Sequence, residues 1–355
     1  MSQRTVAILA GALVVLLALV IFGQRASAPV GTGSALVPDL AAALGDLERV
    51  TVVKANGETV ATLEKRPDNW VVADKHDYVA NAAKLRQALT ALSEAKILEQ
   101  KTANPELYAA PGGEHATGAR PAGVSVALTA GGHELPTVIL GNAEGSKYRY
   151  ARRAGEAQSY LIDRNPDVPR AAAQWVDSVI VDVRGERVRE VTTTHADGEV
   201  VHLSKASPEL ANFDVAGVPK GRELSYPGVA NVVGNALREL NLEDVEPASA
   251  PPEQPTVVEY RTFDGLVVRV TGSKSGDEDW ITLEASVDAA QAAASAPPAA
   301  PVEGAAASAT PPADPNAEAQ RINAKASGWR YKIAGYQYDQ MTRRMADLLK
   351  AVPPA

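Results

Sequence analysis

The chain of 355 residues contains no cysteine. That excludes disulfides, thiol chemistry, lipid attachment at an N-terminal cysteine and any cysteine-ligated zinc. Histidine is scarce, with five in all: His76, His115, His133, His195 and His202. None is paired at the i, i+4 spacing of a His-Glu-x-x-His metal helix. No Gly-x-x-x-x-Gly-Lys-[Ser/Thr] stretch is present, so the chain is not itself a P-loop ATPase. No Gly-x-Ser-x-Gly elbow occurs either; the glycine-rich Gly31-Thr32-Gly33-Ser34 runs on into Ala35 and reads as a flexible lead. Basic charge is in deficit. The formal net charge is −8, and Arg4 and Arg25 are the only charged side chains in the first 25 residues, so the rest carries −10. A body this acidic repels a phosphate backbone, which argues against nucleic acid as a partner.

What is present begins with an apolar run. From Val6 to Phe22 there is no charge or strongly polar side chain. At about 1.5 Å per residue this run just spans a hydrocarbon core of about 30 Å. Arg4 precedes it and Arg25 follows. The reading is a retained anchor with residues 1–25 comprising a cytoplasmic N-terminus and the transmembrane helix, and a periplasmic body. The competing reading is a cleaved signal peptide, because Ala26-Ser27-Ala28 resembles a cleavage site. Residues 26–45 form a lead segment that ends in an amphipathic stretch.

A first lobe is expected over residues 46–183. Strands at 49–54 and 58–64 flank Asn56-Gly57, a pair that accepts positive φ at both central positions of a tight hairpin. Trp70 opens a third strand. Asn81 is placed to cap a helix over 82–96, with Leu85, Leu89 and Leu92 on one face. Val124, Val126 and Leu128 alternate with polar neighbours as one face of a strand, and Gly131-Gly132 turns the chain. Further strands are expected at 135–140, 147–152 and 159–163, then a short helix at 169–177 that packs Trp175 inward.

A second lobe, over 184–350, repeats the plan. Glu186-Arg187-Val188 echoes Glu48-Arg49-Val50 at an offset of 138, and Asp197-Gly198-Glu199 echoes Asn56-Gly57-Glu58 at 141. A helix is expected over 227–240 with Val229, Val233, Leu237 and Leu240 on one face. Two halves matching in order indicate duplication. The Ala/Pro-rich tract at about 288–327 has few large apolar groups and reads as a disordered insertion between neighbouring strands. Trp329–Ile333 is a strand, and Tyr338, Met341, Met345, Leu348 and Leu349 mark a final amphipathic helix. The fold class is thus α+β: two related lobes, each an antiparallel sheet with a helix on one face, plus one N-terminal transmembrane helix.

The order of these features resembles a known family. It comprises the anchor, strand–turn–strand, Trp70 and the helix opening Val79-Ala80-Asn81-Ala82-Ala83-Lys84-Leu85. Then follow Leu237-Arg238-Glu239-Leu240 with Glu243-Asp244-Val245, and Gly328-Trp329-Arg330-Tyr331-Lys332-Ile333 before Asp347-Leu348-Leu349. Together they resemble the bacterial domain-of-unknown-function family 4340. Members commonly open the helix with Pro-Ala-Asp, where this chain has Val79-Ala80-Asn81. The resemblance implies an auxiliary component encoded beside an ABC transport system of the gliding-motility type, with a permease and an extracytoplasmic subunit as partners. It carries no catalytic residue.

The residues themselves nominate no catalytic, cofactor-binding or metal site. His195 and His202 lie on the two strands of one hairpin, where they are able to approach each other. Asp277-Glu278-Asp279 precedes Trp280 at a hairpin tip, without calcium-loop spacing. Trp70, Trp175, Trp280 and Trp329 suit a core better than a carbohydrate platform. Arg152-Arg153 and Arg343-Arg344 are too short for a nucleic-acid patch. The function expected is a non-catalytic, membrane-anchored periplasmic scaffold subunit of an ABC-type system. The alternatives are a periplasmic glycan- or peptide-binding protein and, behind it, a hydrolase.

Overall fold

The computed structural model describes residues 32–104, 123–248, 250–295 and 314–351. The chain forms two compact units. Among the described residues, one joins those of 32–65 to those of 83–170, and the other joins 66–82 to those of 171–351. The short stretch 66–82, which sequence order assigns to the first lobe, therefore belongs with the second unit. Both units are α+β and mostly sheet.

The first half of the chain supplies β1 (Leu47–Lys54), β2 (Thr59–Lys65), β3 (Trp70–Val72), β4 (Tyr78–Val79), β5 (Ile97–Gln100) and β6 (Val124–Ala130). It continues with β7 (His133–Glu134), β8 (Val138–Glu144), β9 (Tyr148–Arg153) and β10 (Ser159–Ile162). β3 and β4 form a hairpin of the second unit. Within the first unit the order is β2-β1-β6-β8-β9-β10-β5, all neighbours antiparallel. β6 alternates buried and half-buried residues along its whole length, as the sequence pattern predicts. The helix Ala82–Glu94 buries Leu85, Ala88, Leu89 and Leu92, an i, i+3, i+4, i+7 stripe.

The second unit adds β11 (Val179–Val181), β12 (Val188–Thr194), β13 (Val200–Ser204), β14 (Asp214–Val215) and β15 (Leu240–Pro247). Its last strands are β16 (Thr256–Thr262), β17 (Leu266–Ser275), β18 (Glu278–Val287) and β19 (Trp329–Ile333). Their order is β11-β15-β19-β18-β17-β16-β12-β13-β14. The series β13-β12-β16-β17-β18-β19 repeats β2-β1-β6-β8-β9-β10. The repeat is exact in hydrogen bonding at the first turn. Lys54 N–H donates to Glu58 C=O, and His195 N–H donates to Glu199 C=O. Asn56 and Asp197 each accept from the N–H two residues on. The bulge between Leu47 and Arg49 recurs between Val188 and Glu190. Every one of these equivalences has an offset of 141. The apparent echo of Glu48-Arg49-Val50 in Glu186-Arg187-Val188 at 138 is therefore not structural: Val50 corresponds to Val191.

Four expectations are corrected. Residues 227–240 hold a single helical turn, Asn231–Gly234, because Gly228 (φ 82) and Glu239 (φ 47) adopt backbone that a helix cannot continue. Val229, Val233, Leu237 and Leu240 are buried nonetheless. The tract read as disordered contains two helices, Ala289–Ser295 and Pro315–Ala326. Alanine is the best helix former, Asp314 accepts from Asn316 N–H, and Pro315 sits at the first helical position. Ala319, Ile322 and Ala326 then bury one face; residues 296–313 lie outside the described residues. The final helix is two short ones, Gly335–Met341 and Met345–Leu348. The helix expected at 169–177 is one 3₁₀ turn, Ala172–Gln174, leading to a buried Trp175.

Among the described residues no helix is long and apolar enough to cross a membrane. The expected anchor at residues 6–22 lies outside them.

Two adjoining clefts on the second sheet

The second unit carries two clefts that share Pro252 and Ser273 in their walls. Both lie beside the loop from β15 to β16. The first, of about 730 Å³, is lined by β18 from Trp280 to Ala285, by Asn323 and Ala326, and by Gly328, Trp329 and Arg330. The second, of about 600 Å³, is polar and lined by His195, Gln254, Thr256, Lys274, Tyr338 and Arg344 among others.

In the polar cleft the two cations Lys274 and Arg344 are already engaged. Lys274 Nζ lies 2.9 Å from Asp279 and 5.0 Å from the centre of the Tyr338 ring. Hydrogen bonding to Asp279 raises the Lys274 pKa, while desolvation raises that of the Tyr338 phenol. Tyr338 reaches this position because β17 carries a glycine: a Cβ on Gly272 would stand 2.7 Å from the ring. Arg344 pairs with Asp197 at 2.8 Å and with Glu199, tying the final turns to the β12–β13 hairpin tip. His195 is buried, and its Nε2 meets no hydrogen-bond partner among the described residues.

The first cleft is bounded by two tryptophans, Trp280 and Trp329, each with a neighbour against its ring. The Arg330 guanidinium lies 4.4 Å over Trp280 and its Nη2 is 2.5 Å from Glu246. Trp329 meets Tyr78 edge-on with centroids 5.0 Å apart. Tyr78 and Tyr331 share a long hydroxyl contact of 3.4 Å, and Tyr331 donates to Lys325 C=O. Burial pushes the Tyr331 phenol up to about 12. Asn323 accepts from Ala285 N–H at 2.8 Å and donates to Ala285 C=O at 2.7 Å, so its side chain stands in for a neighbouring strand.

The residues singled out from sequence are dispersed. His202 faces Thr192 across the hairpin, and Thr192 is three positions from His195. An odd step reverses the face of a strand, so the two histidines do not meet. His76 ends a 3₁₀ turn in left-handed backbone, His133 is exposed on β7, and His115 lies outside the described residues. In the acidic triplet, Glu278 binds Lys332 and Trp280 Nε1, and Asp279 binds Lys274. Trp175 and Trp280 are buried, and Trp70 and Trp329 are half-buried. Gly33 is not a loose lead: its N–H donates to Ile97 C=O. Arg153 is bound to the carbonyls of Ala35 and Leu36. Among the described residues no three His, Asp or Glu side chains are arranged to hold a metal ion. Sequence reasoning missed Asn323 and Tyr338 as cleft residues. Gly272, a glycine inside a strand pattern, was the available signal for the second.

Comparison with curated proteins and with solved structures returned no match. One family model matches residues 70–257, from β3 into β16 and over more than half of the chain. On that match the chain belongs to the family described as Domain of unknown function (DUF4340).

Proposed function

We propose that this protein is a non-catalytic, membrane-anchored auxiliary or scaffold subunit of an ABC-type envelope transport system. Its body would project into the periplasm from an anchor at residues 6–22. The anchor would meet helices of the permease, and the two sheet units would meet an extracytoplasmic subunit. Family membership is the observation that carries the reading, since the resemblance drawn from sequence implies this setting. The clefts support a binding role over a reacting one. Their cations are matched by carboxylates at Lys274–Asp279, Arg344–Asp197 and Arg330–Glu246, and so do not converge on an open centre. An ATPase would be a separate subunit.

The test is affinity purification of the tagged full chain from detergent-solubilised membranes, with mass spectrometry of what copurifies. The expected result is an ABC permease with its ATPase. Recovery of the protein alone after mild crosslinking contradicts the proposal.

The peptide-binding form of the alternative is favoured over the glycan form by one observation. A sugar platform needs a free aromatic face, and Arg330 covers that of Trp280. The first cleft is instead bordered by strand main chain.

A further inference from the structure

β18 hydrogen-bonds to its neighbours in strict alternation. Asp288 N–H donates to Gly265 C=O, which sets the phase of the β17–β18 ladder. Counting back along that register, Ala285, Leu283 and Ile281 turn their main-chain groups away from β17. Two of these positions are occupied: Ile281 pairs with Tyr331 of β19, and Ala285 is bound by the Asn323 side chain. The partner of Leu283 in this register is Trp329. The β18–β19 ladder ends one step earlier, at Ile281↔Tyr331.

The equivalent hairpin in the first unit does not open. There β9–β10 continues to Arg152↔Ser159, one pair further, and residues 154–158 close it. In the second unit the same connection carries the helices Ala289–Ser295 and Pro315–Ala326, and the seam parts at Leu283.

The parted seam borders the first cleft, whose volume of about 730 Å³ suits a small ligand segment. Small residues, Ala248, Ala250, Ala326 and Gly328, let a main chain approach closely. The basic group there, Arg330, is neutralised by Glu246. At the neighbouring position the chain itself offers the occupant's chemistry, the Asn323 amide on Ala285.

We propose that this seam binds an extended, uncharged peptide segment with small side chains, seated by main-chain hydrogen bonds to Leu283. The site is independent of the transporter reading: a failure to copurify with a permease leaves it standing.

The test follows amide hydrogen exchange at Leu283 in the detergent-solubilised full chain. The probe is the blocked hexapeptide Ala-Val-Ala-Ser-Ala-Val, with a version N-methylated at every peptide nitrogen as control. Without peptide, the Leu283 amide exchanges faster than that of Ile281. Saturating peptide slows Leu283 exchange at least tenfold, and the N-methylated version does not. Ala250→Trp and Ala248→Trp, both at exposed positions, abolish the protection without lowering the Tm. Three results overturn the proposal: a Leu283 amide already as slow as Ile281, no protection at millimolar peptide, or equal protection by the N-methylated probe. Protection that rises with protein concentration and without peptide assigns the seam to a second copy, and likewise overturns it.

Discussion

Asn323→Ala tests how the helix Pro315–Ala326 is fastened to the second sheet. Asn323 makes two hydrogen bonds with the main chain of Ala285, at 2.8 and 2.7 Å, and Ala285 is 8 % exposed. Each neutral hydrogen bond contributes about 1 kcal/mol net, and a stranded buried group costs about 1–3 kcal/mol. The adjoining cleft admits water to the vacated position, which favours the lower figure. Alanine is also a better helix former than asparagine, by roughly 0.6 kcal/mol. The expected loss is therefore about 2 kcal/mol. In a unit of this size that lowers Tm by about 4–8 °C. Asn323→Asp is worse, because one carboxylate oxygen then faces Ala285 C=O and the helix C-terminus disfavours negative charge. Differential scanning calorimetry on wild type and both variants reads the series. If both variants melt within 1 °C of wild type, the side chain does not substitute for a strand and the reasoning fails.

Other outcomes follow from the same geometry. Arg187 binds Asp264 and Glu318 at 2.8 Å each, and Glu318 lies on the same helix; the group is part-exposed, so Arg187→Met should cost about 2 kcal/mol by urea denaturation. Tyr260 is fully buried with a hydroxyl that meets no partner among the described residues. Tyr260→Phe should therefore raise stability by about 1 kcal/mol, and a loss would reveal a partner for that hydroxyl. Gly272→Ala should displace the Tyr338 ring and lower Tm, whereas Gly272→Ala with Tyr338→Ala should lose less than the sum of the two single changes. The Tyr331 phenol has a folded pKa of about 12 against an unfolded value near 10. Its contribution is present below pH 10 and is lost as pH rises toward 12, because the unfolded chain releases the proton first. Denaturation midpoints across that window, compared with Tyr331→Phe, check the sign.

Local chemistry made much of the architecture legible. Asn56-Gly57 and Asp197-Gly198 turn their hairpins through the same three hydrogen-bond positions. The leucine stripe of residues 82–94 is buried as its spacing requires. What failed did so for identifiable reasons. Counting alanine as a poor core former hid the helix Pro315–Ala326, which needs only Ala319, Ile322 and Ala326 to seat it. The apolar spacing of Val229, Val233 and Leu237 is real burial without a helix, because Gly228 and Glu239 impose positive φ. The assignment of residues 66–82 to the second unit has no local signature; it depends on partners such as Tyr331 and Trp175, far away in sequence. The clefts were invisible for a related reason. Their walls combine β15–β16 loop residues, β18 and β19, and the parting at Leu283 is a matter of register.

The most direct test of the proposed role probes the anchor in its native membrane. A photocrosslinking amino acid placed singly at positions along residues 6–22, followed by mass spectrometry of adducts, reports what lies beside it. The account predicts adducts to a polytopic ABC permease from one face of the segment and lipid from the other. Lipid alone at every position, or removal of the segment from the mature chain, contradicts it.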